Sequence, residues 1–236
     1  MTMLRIWHAL TYLGDGAVLL PCSALLFVWL IADRATRRAG WWWLLAALLV
    51  SGGVALSKLL YMVSGWHPAG WNFIGLSGHA ALSFLLFPVV AALVGSRGTT
   101  ALRVILVALG VCLALAVSAS SWILGDHSLA ELVLGALWGA LGAIAFLAIT
   151  LRHAVQMPLP RKWAATGLLL LMGIMYRPEL PSAQVLGWIA LQVSEHSTIY
   201  TRSDLGPKAQ LSSTVADNRR TGSPATRTPK PPSRNP

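Results

Sequence analysis

Charged residues are scarce in this sequence, and their scarcity limits the class of protein that it can encode. Lysine, arginine, aspartate and glutamate make up 11% of the 236 residues, while 56% are hydrophobic. A soluble domain of this size carries about 25% charged residues. A chain with so little charge can expose its apolar surface without aggregating when its solvent is largely lipid. The composition therefore argues against an ordinary soluble domain and favours an integral membrane protein.

Acidic residues and cysteines are rarer still. There are 8 acidic and 18 basic residues, which gives a formal net charge of +10. Most basic residues lie in short loops between apolar runs or in the C-terminal tail, a pattern typical of membrane topology rather than of nucleic-acid binding. The two cysteines, Cys22 and Cys112, lie within apolar runs, which favours buried thiols over a disulfide or a metal site. We therefore expect neither a nucleic-acid partner nor a metal.

Long apolar runs are what the sequence has in abundance. A spanning helix needs about 20 mostly apolar residues. Such runs predict about six transmembrane helices, at residues 17–32, 41–60, 79–95, 102–118, 131–151 and 163–176. We predict an all-α, polytopic membrane helix bundle over residues 1–200, with a short interfacial helix at 181–193. Residues 201–236, rich in Ser, Thr, Pro and Arg, are predicted to form a disordered basic tail.

Small residues recur at helical spacing in the fifth predicted span. They are Gly135, Gly139, Gly142 and Ala143. Small side chains let two membrane helices approach closely. We therefore predict a close helix–helix contact along this stripe.

The basic residues of the loops predict the orientation of the bundle. They occur after the first span, around the turn between the third and fourth spans, and after the fifth, at Arg34, Arg37, Arg38, Arg97, Arg103, Arg152, Arg161 and Lys162. The alternate loops, residues 61–78 and 119–130, contain no lysine or arginine. Because basic loops stay cytoplasmic, these two loops should face the periplasm or the exterior of a bacterial-type inner membrane.

Polar residues interrupt the apolar chain in both of those loops. Ionisable groups beside membrane spans are costly, so they are candidates for function. His127 and Glu131 are four residues apart and share one face of a helix. A carboxylate on one imidazole nitrogen leaves the other nitrogen to act as nucleophile or base. His79 follows Ser77 and Gly78, where backbone N–H groups that open a helix favour an anion.

With the cation of Lys58, these residues are typical of phosphoryl transfer through a covalent intermediate. A transporter or proton relay would use the same residue types. Histidines clustered at one membrane face, rather than near the midplane, argue against that alternative. A zinc site that includes His67 is conceivable by ligand type, but a short-spaced ligand pair is lacking apart from His127 and Glu131.

Three segments resemble the motifs of the phosphatidic acid phosphatase type 2 superfamily. Leu-Ser-Gly-His at residues 76–79 resembles its Pro-Ser-Gly-His motif. Ser120, with His127 seven residues later and Glu131 four beyond that, resembles Ser-Arg-x5-His-x3-Asp. Lys58, with His67-Pro68, resembles a distorted Lys-x6-Arg-Pro motif. Order, spacing and predicted sidedness agree across residues 58–139.

The resemblance implies a role for each of these positions. His127 would attack phosphorus and become a phosphohistidine, Glu131 would orient it, and His79 would protonate the leaving group. The substrate would be a lipid phosphate or diphosphate, hydrolysed at the periplasmic face without a metal or other cofactor. The implied phosphate-binding residues are Lys58, His67, Ser77, Gly78 and Ser120.

The sequence departs from the family pattern at both arginines. Ser121 stands at one arginine position, and His67-Pro68 replaces the Arg-Pro pair. Each arginine would make bidentate, charge-assisted bonds to the phosphoryl group, and the loss of one such donor costs about 3–4 kcal/mol in the transition state. Leu76 for proline and Glu131 for aspartate are milder changes. An alternative function is therefore a weakly active or inactive family member that binds a lipid phosphate or assists another membrane protein.

Overall fold

The computed structural model describes residues 2–68 and 71–152, together with residues 186, 187, 189, 190, 192, 200 and 202. The chain divides into two compact units, Met1–Tyr200 and Thr201–Pro236. All the helices named below belong to the first unit. They are α1 (Thr2–Leu13), α2 (Gly16–Ala32), α3 (Arg37–Ser64), α4 (Gly78–Val94), α5 (Thr100–Ile123) and α6 (Leu129–Arg152). No strand occurs among the described residues, so the predicted all-α class is confirmed.

Several of these helices are long and apolar enough to cross a membrane. Within the described residues they are Arg37–Ser64, Gly78–Arg97, Thr100–Ile123 and Leu129–Thr150. Helices α1 and α2, bent by 42° at the break between them, make a fifth if the pair forms one span. The protein is therefore a multi-pass membrane protein. The sixth predicted span, residues 163–176, lies outside the described residues, as do most of the predicted interfacial helix and of the tail.

Helix α1 was not predicted, and its composition explains why. It has 12 residues and carries Arg5 and His8, so no apolar run of spanning length marks it. The next helix begins where the Asp15 side chain accepts a hydrogen bond from the backbone N–H of Ala17, at 2.7 Å. A carboxylate that caps the free N–H groups of a helix start is a common initiation signal. The bend between α1 and α2 therefore falls at residues 14–15.

Helix α4 lies at the centre of the bundle. Within the protein, 61% of its apolar window is buried, against 11–28% for the other three spanning helices. Near the start of α3, Trp43 packs edge-on against Phe146, with ring centroids 5.3 Å apart. The Trp43 indole N–H donates to the carbonyl oxygen of Ser23 at 2.9 Å, so its polar atom is paired as burial requires.

Helix α6 packs against α4 through the small residues that the sequence analysis identified. A Cβ atom at Gly135 would lie 2.6 Å from the carbonyl oxygen of Ser77, and one at Gly139 would overlap the carbonyl oxygen of Ala81. Both obstacles are backbone atoms, which cannot rotate away. The predicted close helix–helix contact is confirmed, and it sets the distance between the two helices that carry His79 and Glu131.

The chain returns to the end of α3 at residue 200. The backbone N–H of Tyr200 donates to the carbonyl oxygen of Met62 at 3.0 Å. Its ring lies against Gly65, where a Cβ atom would come 3.0–3.1 Å from three of the ring carbons. Tyr200 is therefore held at the same end of the bundle as the connection between α3 and α4.

Replacing Gly139 by alanine should destabilise the bundle. Because the added methyl group meets backbone of α4, the two helices must separate, at a cost of about 1–3 kcal/mol for overpacking. Gly52→Ala is the matched control, since a Cβ atom there has nothing within 4 Å and alanine favours a helix by about 1 kcal/mol over glycine. Thermal unfolding in detergent should show a lower midpoint for Gly139→Ala alone. An unchanged midpoint for that variant would contradict the proposed packing.

Candidate functional site

Lys58, His79, His127 and Glu131 lie towards one end of the bundle, because consecutive helices run in opposite directions. Helices α2, α4 and α6 begin at this end, and α3 and α5 finish there. A cavity of about 430 Å³ opens between these helix ends. It is lined by Asp15, Gly16, Leu20, Leu48, Ser51, Gly52, Val54, Ala55, Lys58, Gly78, His79, Leu82, His127 and Leu186.

His127 is held by a buried carboxylate. Its Nδ1 lies 3.0 Å from Oε2 of Glu131, whose side chain is fully buried. A second interaction with Oε2 comes from the N–H of Ser128, at 3.3 Å, and Oε1 accepts from the N–H of Ile74 at 3.0 Å. An ionised carboxylate can only accept hydrogen bonds, so Nδ1 carries the proton. In the neutral ring, Nε2 is then the nitrogen with a lone pair to offer.

The local sequence explains why Glu131 lies there. The N–H of Glu131 interacts with Oγ of Ser128 at 3.3 Å, and the N–H of Ser128 donates to the Glu131 carboxylate. This reciprocal pair is a capping box, Ser-x-x-Glu, which starts helix α6. Glu131 therefore closes the first turn of α6 and orients His127 with the same carboxylate.

His79 lies in the first turn of α4 and faces the other histidine. The centroids of the His79 and His127 rings are 5.5 Å apart, with an angle of 61° between the ring planes. Both side chains line the cavity, so one bound group of phosphate size can reach both rings. Ser77 starts this helix, since its Oγ accepts from the N–H of Ala80 at 3.4 Å.

Lys58 also lines the cavity and lies in the last two turns of α3. The connection to α4 passes directly over it at Gly75, which has φ of 137°. A Cβ atom at Gly75 would come 2.7 Å from Cγ and 3.0 Å from Cα of Lys58, so both the backbone angle and the approach require glycine. The same segment is fixed by the N–H of Leu76, which donates to Oγ of Ser57 at 2.9 Å. Among the described residues that line the cavity, Lys58 is the basic side chain.

Other predicted site residues do not line the cavity. His67 is exposed, with Nδ1 3.0 Å from the carbonyl oxygen of Gly65 and its ring against Tyr61. Ser77 is buried, and its N–H donates to the carbonyl oxygen of Glu131 at 3.1 Å. Neither residue is among those that line the cavity.

The two serines near the end of α5 are also buried. Ser120 accepts a hydrogen bond from Oγ1 of Thr11 at 2.8 Å and donates to the carbonyl oxygen of Val117 at 2.7 Å. Ser121, at the position of a family arginine, has no hydrogen-bond partner for its Oγ within the described part of the chain. Neither serine is among the cavity-lining residues.

Sequence reasoning missed Asp15. Its position before an apolar run is a helix-start signal, but the sequence does not show that this helix starts beside the two histidines. Within the described residues, no three His, Cys, Asp or Glu side chains are grouped as a metal site would require.

Comparison with known proteins identifies the family. The PAP2 superfamily model matches residues 58–155. A Klebsiella pneumoniae protein described as an "uncharacterized 22.5 kDa protein in cps region" is 31% identical over 206 residues, which cover 86% of this chain and 99% of the relative. No solved structure matches the chain significantly. The chain belongs to the PAP2 superfamily, as its motifs predicted, and this membership indicates phosphatase-type activity.

Replacing Glu131 by alanine should destabilise the protein strongly. Three donors, the N–H groups of Ile74 and Ser128 and Nδ1 of His127, would lose their acceptor, and a buried donor left unpaired costs about 1–3 kcal/mol. Glu131→Gln keeps one acceptor oxygen and should lose less. The free energy of unfolding in mixed micelles measures both changes. Asp126→Ala, which removes an exposed acid five residues earlier, is the control, and equal stability of Glu131→Ala and this control would contradict the expectation.

Proposed function

We propose that this protein hydrolyses a lipid phosphate or diphosphate through a phosphohistidine intermediate at His127. One observation carries the proposal: a histidine oriented by a buried carboxylate shares a cavity with a second histidine and a lysine. A nucleophile, an acid and a cation around one space are what phosphoryl transfer requires. Membership of the PAP2 superfamily supports the same chemistry.

In the first step, Nε2 of His127 attacks phosphorus. A nitrogen–phosphorus bond forms as the bond between phosphorus and the leaving oxygen breaks. The His79 imidazolium gives its proton to that oxygen, so the lipid leaves as a neutral alcohol or, from a diphosphate, as a protonated phosphate. Glu131 stabilises the positive charge that develops on the His127 ring, and Lys58 binds the phosphoryl oxygens.

In the second step, water attacks phosphorus and displaces Nε2 of His127. The neutral His79 takes a proton from the attacking water, and the nitrogen–phosphorus bond breaks. Inorganic phosphate leaves, His127 is regenerated, and His79 is again protonated for the next cycle. Each histidine therefore ends in the state in which it began.

The remaining cavity wall supports an amphiphilic substrate. Next to Lys58 and His79 the lining is aliphatic, and it includes Leu20, Leu48 and Leu82. Leu20 and Leu48 are 41% and 60% exposed on the outside of the bundle, where a membrane protein meets lipid chains. A phosphate at the polar end of the cavity would place a hydrocarbon chain along these leucines.

Loop charges support a periplasmic or extracellular position for the cavity. The connections at the cavity end, residues 61–78 and 119–130, contain no lysine or arginine. The basic connections, with Arg37 after α2 and Arg97 after α4, lie at the other end of the helices. By the positive-inside rule, the basic end faces the cytoplasm of a bacterial-type inner membrane.

Ser121 favours a second candidate function, binding of a lipid phosphate without turnover. At this arginine position the side chain is fully buried and does not line the cavity. The described cavity wall therefore offers one basic side chain, Lys58, where the family pattern has additional arginines. A protein of this kind would retain the lipid without cleaving it.

Replacing His127 by alanine should abolish phosphate release, because the proposed attack on phosphorus comes from its Nε2. The measurement is phosphate release by detergent-purified protein from a panel of lipid monophosphates and diphosphates. Wild-type protein should also retain an alkali-stable phosphoryl label after quenching, and His127→Ala should not. His8→Ala, an exposed histidine on α1, should match the wild type.

The same experiment separates the two candidate functions. If wild type and His127→Ala release phosphate equally, hydrolysis through His127 is refuted. Saturable binding of a lipid phosphate by a wild-type protein that releases none would establish the second function instead.

Replacing Lys58 by glutamine should weaken substrate binding more than it slows turnover. A hydrogen bond to a charged group contributes about 1.5–3 kcal/mol, so KM should rise about 10- to 100-fold. Steady-state kinetics with a lipid phosphate in mixed micelles give both KM and kcat. Arg97→Gln, at the basic end of the bundle, removes an equal charge and should leave KM unchanged. An unaltered KM in Lys58→Gln would show that Lys58 does not bind the phosphate.

A further inference from the structure

Asp15 belongs to none of the motifs discussed above. It lies at the bend between α1 and α2, outside residues 58–155 that the family model matches. Asp15 nevertheless lines the cavity together with Lys58, His79 and His127. Among the described residues that line this cavity, it is the acidic one.

The position of this carboxylate is set by packing. A Cβ atom on the preceding residue, Gly14, would come 3.3 Å from Cδ2 of His79 and 3.4 Å from Oγ of Ser83, so the bend lies directly on the first turn of α4. Helix α1 is tied to α5 by the hydrogen bond from Thr11 to Ser120, at 2.8 Å. The chain that leads into Asp15 is therefore fixed relative to His79.

In the proposed first step His79 must carry a proton, and a negative charge close to its ring would stabilise that protonated form. The charged or titratable side chains that act on it are Asp15, Asp126, Lys58 and His127. Burial opposes a proton on His79 most strongly, and His127 and Lys58 oppose it further, whereas a carboxylate favours it. Asp126 is exposed on the connection before α6, where water screens its charge. Asp15 is half-buried on the cavity wall and is the better-placed counter-charge.

We propose that Asp15 is a positioning residue for His79: its carboxylate favours the protonated imidazole that gives the leaving group its proton. This role rests on the proposed function. It parallels the pairing of Glu131 with His127, so that each histidine would have its own carboxylate. Only Oδ1 of Asp15 is needed to cap α2, since it accepts the N–H of Ala17.

Helix capping alone is the competing explanation for Asp15, and the chain contains a matched control for it. At the other end of α2, Oδ1 of Asp33 accepts a hydrogen bond from the N–H of Ala35 at 2.9 Å. As at Asp15, the donor lies two residues after the aspartate. Asparagine caps a helix about as well as aspartate. Asp15→Asn and Asp33→Asn therefore each remove one charge and keep the local hydrogen bond, but only the first acts at the cavity.

The test compares two substrates that carry the same alkyl chain. One is an alkyl phosphate, whose leaving oxygen needs a proton, and the other is an alkylated nitrophenyl phosphate, whose leaving oxygen does not. The quantity compared is kcat/KM, which reports the steps up to transfer of the phosphoryl group to His127 and leaves out the later hydrolysis that both substrates share. General acid catalysis contributes about 10²–10⁴-fold, so we expect Asp15→Asn to lower kcat/KM on the alkyl phosphate by about tenfold or more. Its kcat/KM on the nitrophenyl ester should stay within about twofold, given the same principle. Asp33→Asn should match the wild type on both.

Two further measurements complete the test. His79→Ala should show the same selective loss, and adding Asp15→Asn to it should have no further effect, since the two residues act as a unit. Thermal midpoints of all variants report any folding defect. An equal loss of kcat/KM on both substrates, an alkyl phosphate kcat/KM like that of the wild type, or an additive double variant would each overturn the proposal. Absence of phosphate release by the wild type itself would instead overturn the proposed function, and this role with it.

Discussion

One buried carboxylate connects most of the parts of the candidate site. The Glu131 side chain accepts hydrogen bonds from the connection before α4, from the first turn of α6 and from His127, while its own carbonyl oxygen accepts the N–H of Ser77. A buried charge is stable only when it is fully hydrogen-bonded. The two loops must therefore close on Glu131 together, which brings the starts of α4 and α6 into register and sets the orientation of His127.

The second constraint is the lipid around the bundle. Placing an ionisable side chain within a bilayer costs free energy. The candidate catalytic residues accordingly lie near the helix ends, where the described polar residues are found. The middle of the bundle is free to pack closely. Gly135 and Gly139 bring α6 onto the backbone of α4, and this contact continues directly into the site, because Gly135 packs on Ser77, the residue before the His79 turn. Packing and chemistry therefore share the same pair of helices.

The sequence was sufficient to predict the helices that long apolar runs mark and the residue pairs that a motif spaces along the chain. Apolar runs identified α2 to α6, and the spacing of His127 and Glu131 predicted the pair that the structure shows at 3.0 Å. Helix α1 carries no such run, since Arg5 and His8 interrupt it. The place of Asp15 on the cavity wall depends on how α1 packs against α5, and the exposure of His67 depends on the path of its loop. Both are properties of tertiary contacts, which periodicity and motif spacing do not encode.

Tyr200 has a practical consequence for determining topology. Its hydrogen bond to Met62 holds residue 200 at the end of α3 that carries the cavity, whichever compartment that end faces. The Tyr200 side chain is 47% exposed, so a cysteine introduced there by Tyr200→Cys is accessible to a reagent. Its reaction with a membrane-impermeant thiol reagent would show which compartment supplies the water that enters the cavity.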